Sequence, residues 1–296
     1  MPIEHATHAT NGVELHVAAT GPTDGPLVIL LHGFPEYWGS WRMHMARLAE
    51  AGFRVLAPDQ RGYNTSEKPP AVADYRLDTL ADDIVGLIDG QGREKATVIG
   101  HDWGGAVAWR LAQMHPDRLA RVAVLNCCPV EVLQRTAWLN PGQLLKSWYA
   151  FSFQLPWIPE WILSRRHFSS LAGKVISSGL PEAFSAETLE GLREAWGQPG
   201  AIRSMLAWYR ANMRRPPRSG GPIRIPAMLL WGEQDQFLGT HLTGHTMDLC
   251  EQGELVLFPD NTHWVNHEAV EEVCAHLIRF LRAPPEFSPS TPAEPV

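Results

Sequence analysis

Cysteine is scarce in this chain. The four present, Cys127, Cys128, Cys250 and Cys274, form no CxxC pair and no regular spacing, which excludes a disulfide-stapled scaffold and a zinc ribbon and points to reduced thiols. No apolar stretch approaches the ~18 residues that a bilayer-spanning helix needs. The opening Met1, Pro2, Ile3, Glu4, His5 also lacks the basic-then-apolar order of a secretory signal. The expected setting is therefore cytoplasmic. Sustained basic blocks are missing too: the formal net charge is -7 and the basic residues are scattered, which argues against nucleic acid and against a membrane surface as partners. The cluster Arg214, Arg215, Pro216, Pro217, Arg218 is broken by prolines that deny it a helix face, and it reads as a solvated connector. Histidines number 13, yet the i,i+4 pairs His241/His245 and His263/His267 lack the glutamate of a zincin helix, so no metal is expected.

What is present reads as globular. A chain of 296 residues that is 45% hydrophobic can bury one large core and still carry an inserted lobe. Val13, Glu14, Leu15, His16 and Val17 alternate, predicting an edge strand of an antiparallel hairpin over 13–20, with a turn at 21–26. Aliphatic runs at 27–31, 53–57, 96–100 and 121–126 suit strands covered on both faces, and helical spacing lies between them at 41–51, 77–88 and 104–115. From Pro129 to about Arg215 no strand pattern appears; proline-punctuated helical pieces carry Trp138, Trp148, Trp157, Trp161, Trp196 and Trp208. Strand spacing resumes at 227–231 and 254–258, with helices at 241–250 and from His267 to Leu281. The predicted fold class is α/β, a mostly parallel doubly wound sheet with an inserted helical lid. The expected divisions are residues 1–128 and 217–283 as two parts of one core, 129–216 as the lid, and 284–296 as a disordered proline-rich tail.

The chemistry gathers where strands end, because ligands of a parallel sheet collect beyond the carboxyl ends of its strands. Gly100, His101, Asp102, Trp103, Gly104, Gly105 directly follow a buried strand and read as a nucleophile elbow with aspartate at its centre. A carboxylate with an ordinary pKa near ~3.9 is ionised at neutral pH and attacks an alkylating carbon without a base. Asp235 and His263 follow the next strands, and a histidine oriented by a carboxylate is what a water needs to lose its proton. Glu233 is the alternative acid. His101 is expected to pack beside the elbow, His32 to shape the turn after the strand at 27–31, and Asp59 with Arg61 to form a structural network.

The chain resembles the epoxide hydrolases of the α/β-hydrolase fold over roughly Val13 to Leu281. The matching motifs, in order, are HGFPE at His32–Glu36, RGY at Arg61–Tyr63, GHDWGG at Gly100–Gly105, SWYAFSFQLPWIPE at Ser147–Glu160, YRANM at Tyr209–Met213, WGEQD at Trp231–Asp235 and THW at Thr262–Trp264. The resemblance implies Asp102 as nucleophile, Asp235 and His263 as the charge-relay pair, and Tyr149 and Tyr209 as lid tyrosines holding the epoxide oxygen. It also implies an oxyanion hole from the backbone N–H groups of Phe34 and Trp103. The phenols make independent sense, since an opening epoxide leaves an alkoxide that needs a proton donor. Phe34, Trp103, Phe153 and Trp264 are expected to line an apolar substrate pocket. The implied function is conversion of epoxides to vicinal diols through a hydroxyalkyl ester on Asp102, with water and a small apolar epoxide as partners and no cofactor. A homodimer is the one protein assembly allowed for, and the tryptophans of the lid favour bulky or aryl substrates. The rival readings are a haloalkane or haloacid dehalogenase with the same nucleophile, against which Phe34 offers no side-chain donor for a halide, and a non-catalytic ligand receptor. Cys127–Cys128–Pro129–Val130 and Thr262 depart from the family's usual residues, at positions expected near the cavity mouth.

Overall fold

The computed structural model describes residues 1–137 and 140–284. Trp138 and the tail after Pro284 lie outside the described residues. The strands are β1 (Glu4–Thr10), β2 (Val13–Thr20), β3 (Leu27–Leu31), β4 (Arg54–Pro58), β5 (Ala96–His101), β6 (Leu119–Leu125), β7 (Ala227–Gly232) and β8 (Gly253–Phe258). They form one sheet in the order β1-β2-β4-β3-β5-β6-β7-β8. Pairings β1–β2 and β2–β4 are antiparallel and the others parallel. Strand β2 is not at the edge, contrary to its expected place. Its alternation is confined to the half that lies beside β1 alone; Val17–Thr20 pair with Pro58–Val55 of β4 and are all buried.

The helices are α1 (Arg42–Glu50), α2 (Leu77–Gly90), α3 (Trp103–Met114), α4 (Val130–Ala137), α5 (Pro141–Lys146), α6 (Trp148–Ser152), α7 (Ile158–Ser178), α8 (Ala186–Gly197), α9 (Ala201–Arg214), α10 (His241–Met247), α11 (Val265–Glu268) and α12 (Val270–Arg282). In β3 every side chain is buried because alternate residues serve opposite faces. Val28 and Leu30 pack with Met45 and Leu48 of α1 and Val273, Leu277 and Phe280 of α12. Leu27, Ile29 and Leu31 pack with Leu80 and Ile84 of α2 and Val107 and Leu111 of α3. Coverage on both sides is why these strands read as continuous aliphatic runs. The expected last helix is in fact two. Ala269 leaves helical geometry at φ -128°, ψ 43°, and just before it His267 and Glu268 on α11 hydrogen-bond to Glu36 and Thr262.

Helices α4–α9 separate β6 from β7, and no strand occurs there among the described residues. Helix α7 is interrupted: Arg166, His167 and Phe168 all take positive φ, 48°, 53° and 58°, at a cost of roughly 1–2 kcal/mol each. Helix α9 is fastened over the strand ends by specific bonds. Trp208 Nε1–H donates to the Arg61 carbonyl at 3.0 Å, and Asn212 accepts from the Leu77 N–H at 2.9 Å while donating to the Tyr75 carbonyl at 2.9 Å. Trp196 on α8 donates to the Pro35 carbonyl at 2.6 Å.

Candidate active site

Asp102 stands between the last residue of β5 and the first of α3, at φ 49°, ψ -121°. Such a conformation is costly for a residue with a side chain and persists because its neighbours permit nothing else. A β-carbon on Gly100 would overlap the backbone of Gly104, and one on Gly104 would overlap the Leu31 carbonyl. Two glycines thus let strand and helix touch, and the turn between them lifts the Asp102 carboxylate off the sheet edge. Its Oδ1 accepts the Phe34 N–H at 2.8 Å, and its Oδ2 lies 3.6 Å from His263 Nε2.

The other ring nitrogen of His263, Nδ1, meets Asp235 Oδ2 at 2.7 Å. Asp235 is fully enclosed in donors. Its Oδ1 accepts the N–H groups of Phe237 and Leu238 at 2.6 and 2.9 Å, and its Oδ2 accepts Asn126 Nδ2–H at 2.9 Å. Burial favours the neutral acid, but the imidazole charge and these hydrogen bonds prevail, and the Asp235 pKa lies below the usual carboxylate value. For His263 burial opposes the cation, while the charges of Asp235 and Asp102 outweigh it and hold the pKa above the ordinary 6.5.

Behind this pair lies a second buried carboxylate. Glu36 Oε2 meets His101 Nδ1 at 2.7 Å and accepts the Gly33 N–H at 3.3 Å; Oε1 meets His267 Nε2 at 2.8 Å and accepts Asn266 Nδ2–H at 3.1 Å. His101 Nε2 in turn lies 2.9 Å from the His263 carbonyl. One carboxylate therefore ties the loop after β3, the elbow and the loop after β8 into a single unit. Burial would raise its pKa, but His101 and His267 hold it well below the usual range.

The carboxylate of Asp102 faces two chambers. One, of about 690 Å³, is lined by Phe34, Phe153, Phe237, His263 and Trp264; the other, of about 510 Å³, by Trp103, Cys127, Cys128, Leu133 and Met213. Asp102, Tyr149 and Tyr209 belong to both. The Tyr209 ring stands edge-on to Phe34, Trp103 and Phe153 at 5.3, 5.0 and 5.0 Å between centroids, and the Tyr149 ring lies 6.1 Å from it. Burial, then the negative charge of Asp102 and its neighbours, pushes both phenols well above their ordinary pKa, so they stay protonated.

Asp102, Asp235 and His263 thus lie side by side, and both tyrosines face the same carboxylate. Glu233 does not partner the imidazole; Asp235 does. Phe34, Phe153 and Trp264 line the larger chamber and Trp103 the smaller. His32 joins the turn to the next loop through the Gln60 N–H, 3.1 Å from its Nε2. Asp59 and Arg61 belong to separate sets: Asp59 binds His16, Trp38 N–H and Asn64, while Arg61 makes a two-point pair with Asp83 at 2.8 and 2.6 Å. Cys127 and Cys128 do border a chamber. Thr262 is turned away, its hydroxyl donating to Glu268 at 2.6 Å. Sequence reading passed over Glu36 and Asn126. Asn126 could have been found, since it follows β6 in the position that holds Asp102 after β5; Glu36 closes the HGFPE motif, but nothing local shows that it meets His101 and His267.

A family model for the alpha/beta hydrolase fold matches residues 26–270. The chain is similar to the AB hydrolase superfamily protein YfhM of Bacillus subtilis (strain 168), 45% identical over 275 residues that cover 92% of this chain and 96% of that protein. It is similar to epoxide hydrolase 3 of Mus musculus, 34% identical over 283 residues covering 92% and 75% of the two chains. A crystal structure of the Bacillus megaterium epoxide hydrolase in complex with an inhibitor aligns at TM-score 0.86 and 28% identity, covering 94% of this chain and 100% of the other.

Proposed function

The chain belongs to the epoxide hydrolases of the α/β-hydrolase fold, and from that premise we propose how it turns epoxides into vicinal diols. Helices α4–α9 act as the lid that closes the site. In the first step Asp102 attacks one epoxide carbon and the carbon–oxygen bond of the ring breaks. Tyr149 and Tyr209 hold the departing oxygen, and one of them gives it a proton. The ester so formed carries the hydroxyalkyl group on Asp102, whose negative charge is gone. In the second step His263 Nε2 takes a proton from water, and the hydroxide attacks the carboxyl carbon of the ester. The oxyanion is received by the N–H groups of Phe34 and Trp103, each worth about 3 kcal/mol to such a transition state. Collapse expels the diol oxygen, which takes the proton held by His263; the proton left on the attacking oxygen is released as Asp102 regains its carboxylate and returns to the tyrosine, so that the enzyme is restored.

The observation that carries this reading is the placement of one carboxylate between the Phe34 N–H at 2.8 Å and His263 at 3.6 Å, under two neutral phenols. The second distance puts His263 Nε2 within reach of a water that approaches the carboxyl carbon of the ester from beside it. Two chambers meeting at Asp102 support apolar epoxides with a substituent on each side of the ring. The test is the intact mass of His263→Gln after incubation with a styrene-type epoxide. A gain equal to the whole epoxide, absent when Asp102→Asn is added, is the expected result. No gain, or a gain that persists without Asp102, would overturn the route, and a gain of an alkyl group alone from a haloalkane would favour dehalogenation.

A further inference from the structure

Contrary to the expectation from the overall charge, we propose that the outer face of α5–α7 docks on an anionic lipid bilayer and takes apolar epoxides directly from it. The docking stands on surface chemistry alone; the delivery of epoxides rests on the function proposed above. Three tryptophans on this short segment are turned outward, Trp148, Trp157 and Trp161, at 67%, 82% and 60% exposure, joined by Leu145, Phe151 and Ile162. Single apolar residues on a surface are ordinary, but eight large exposed ones between Leu145 and Ile162 concentrate apolar surface on one short segment, as on a surface that is covered in use. The patch also frames the way in. Leu145, Trp148 and Ile162 line the larger chamber and Phe151 the smaller, so the apolar exterior and the apolar interior are continuous.

Charge selects the occupant. Residues 141–178 hold four of the chain's 25 Lys and Arg, of which Arg165, Arg166 and Lys174 are exposed, but a single one of its 32 Asp and Glu. That one, Glu160, is engaged by Arg210 at 2.5 Å. Arg165 lies over the Trp161 ring at 4.1 Å, and Arg214 is fixed to Gln154 beside the patch at 3.1 Å. The acidic residues lie elsewhere; Glu187 on α8, for instance, pairs with Arg42 of α1. An acidic protein thus presents one basic, tryptophan-rich face, the composition of an interfacial anchor on anionic headgroups. A second copy is a poorer occupant, because a two-fold contact would set the same arginines against each other. No helix among the described residues is long and apolar enough to cross a membrane, so the attachment is peripheral.

The test is flotation with vesicles of phosphatidylcholine and phosphatidylglycerol in equal parts, against vesicles of phosphatidylcholine alone. Binding is expected to the mixed vesicles at low salt and to weaken by about tenfold or more on the neutral ones or in high salt. Trp157→Ser with Trp161→Ser, and separately Arg165→Glu with Arg166→Glu, should each lose a similar factor while hydrolysing a small water-soluble epoxide at the wild-type rate. Equal binding to both vesicle types, or unchanged binding by both variants, would overturn the proposal. A wild-type dimer that the tryptophan variant dissociates would give this face to a second copy and overturn it too. Loss of soluble-epoxide turnover with vesicle binding intact would strike the enzymatic reading and leave the docking standing.

Discussion

Asp102 and His263 control each other through charge. The carboxylate of Asp102 helps to keep the His263 pKa high, and formation of the ester removes that charge. The base is therefore released at the step that needs it, because a neutral imidazole is the form that accepts a proton from water. Asp102→Asn imitates the loss. In an NMR titration the His263 ring is expected to titrate at lower pH in that variant than in the wild type, and an unchanged midpoint would remove Asp102 from the control of the base. The tyrosines obey the same logic, since each is raised in part by the Asp102 charge and becomes a better acid as that charge is consumed. Tyr149→Phe with Tyr209→Phe should leave the thermal midpoint nearly unchanged and slow single-turnover alkylation by about 10²-fold or more, the usual worth of positioned acid catalysis. Alkylation at the wild-type rate would exclude both phenols.

The elbow shows how an element is built around a forbidden conformation. Residues 96–100 are apolar and extended, 103–114 helical, and the crossing between them is too tight for any side chain at positions 100 and 104. Gly104→Ala is expected to cost about 3 kcal/mol or more, read as a lower urea midpoint, since the clash is with backbone and not with a movable side chain. Helix α9 is fixed by side-chain-to-backbone bonds rather than by apolar contact alone. Asn212→Ala leaves the Leu77 N–H and the Tyr75 carbonyl without their partner, and a loss of about 1–3 kcal/mol is expected by the same measurement. These contacts were not legible in the sequence. Asn212 lies in the YRANM stretch at Tyr209–Met213, but the groups it binds are more than a hundred residues earlier, where neither period nor spacing points to them. The elbow was legible because all its determinants fall within six consecutive residues.

The stability of the chain against pH follows from its two buried clusters, which act in opposite directions. Glu36 has its pKa lowered well below the ordinary 4.5, so its contribution to stability is present above 4.5 and is lost as pH falls through the folded value. His263 has its pKa raised above 6.5, so its contribution is full below 6.5 and is lost as pH rises through the folded value. Stability is therefore expected to decline on both the acid and the alkaline side of a plateau. Glu36→Gln should flatten the acid decline of the unfolding midpoint and lower the plateau, because the substitution uncouples three loops joined at one carboxylate. A variant with the same acid decline as the wild type would show that other carboxylates govern it.

Strand β1, the interior place of β2 and the break between α11 and α12 could not be read from residue order, whereas seven of the eight strands, the helices between them, and the positions of Asp102, Asp235 and His263 at strand ends could. Each depends on period, on glycine placement, or on the rule that a parallel sheet keeps its ligands at one end. The tertiary structure alone brought Glu36 to His101 and His267, divided the space around Asp102 into two chambers, and fixed α9 to Tyr75 and Leu77 through Asn212. All of these join residues far apart in the chain. Local pattern fixes which way a side chain leaves its own element, but which distant side chain it meets is decided only when the elements pack.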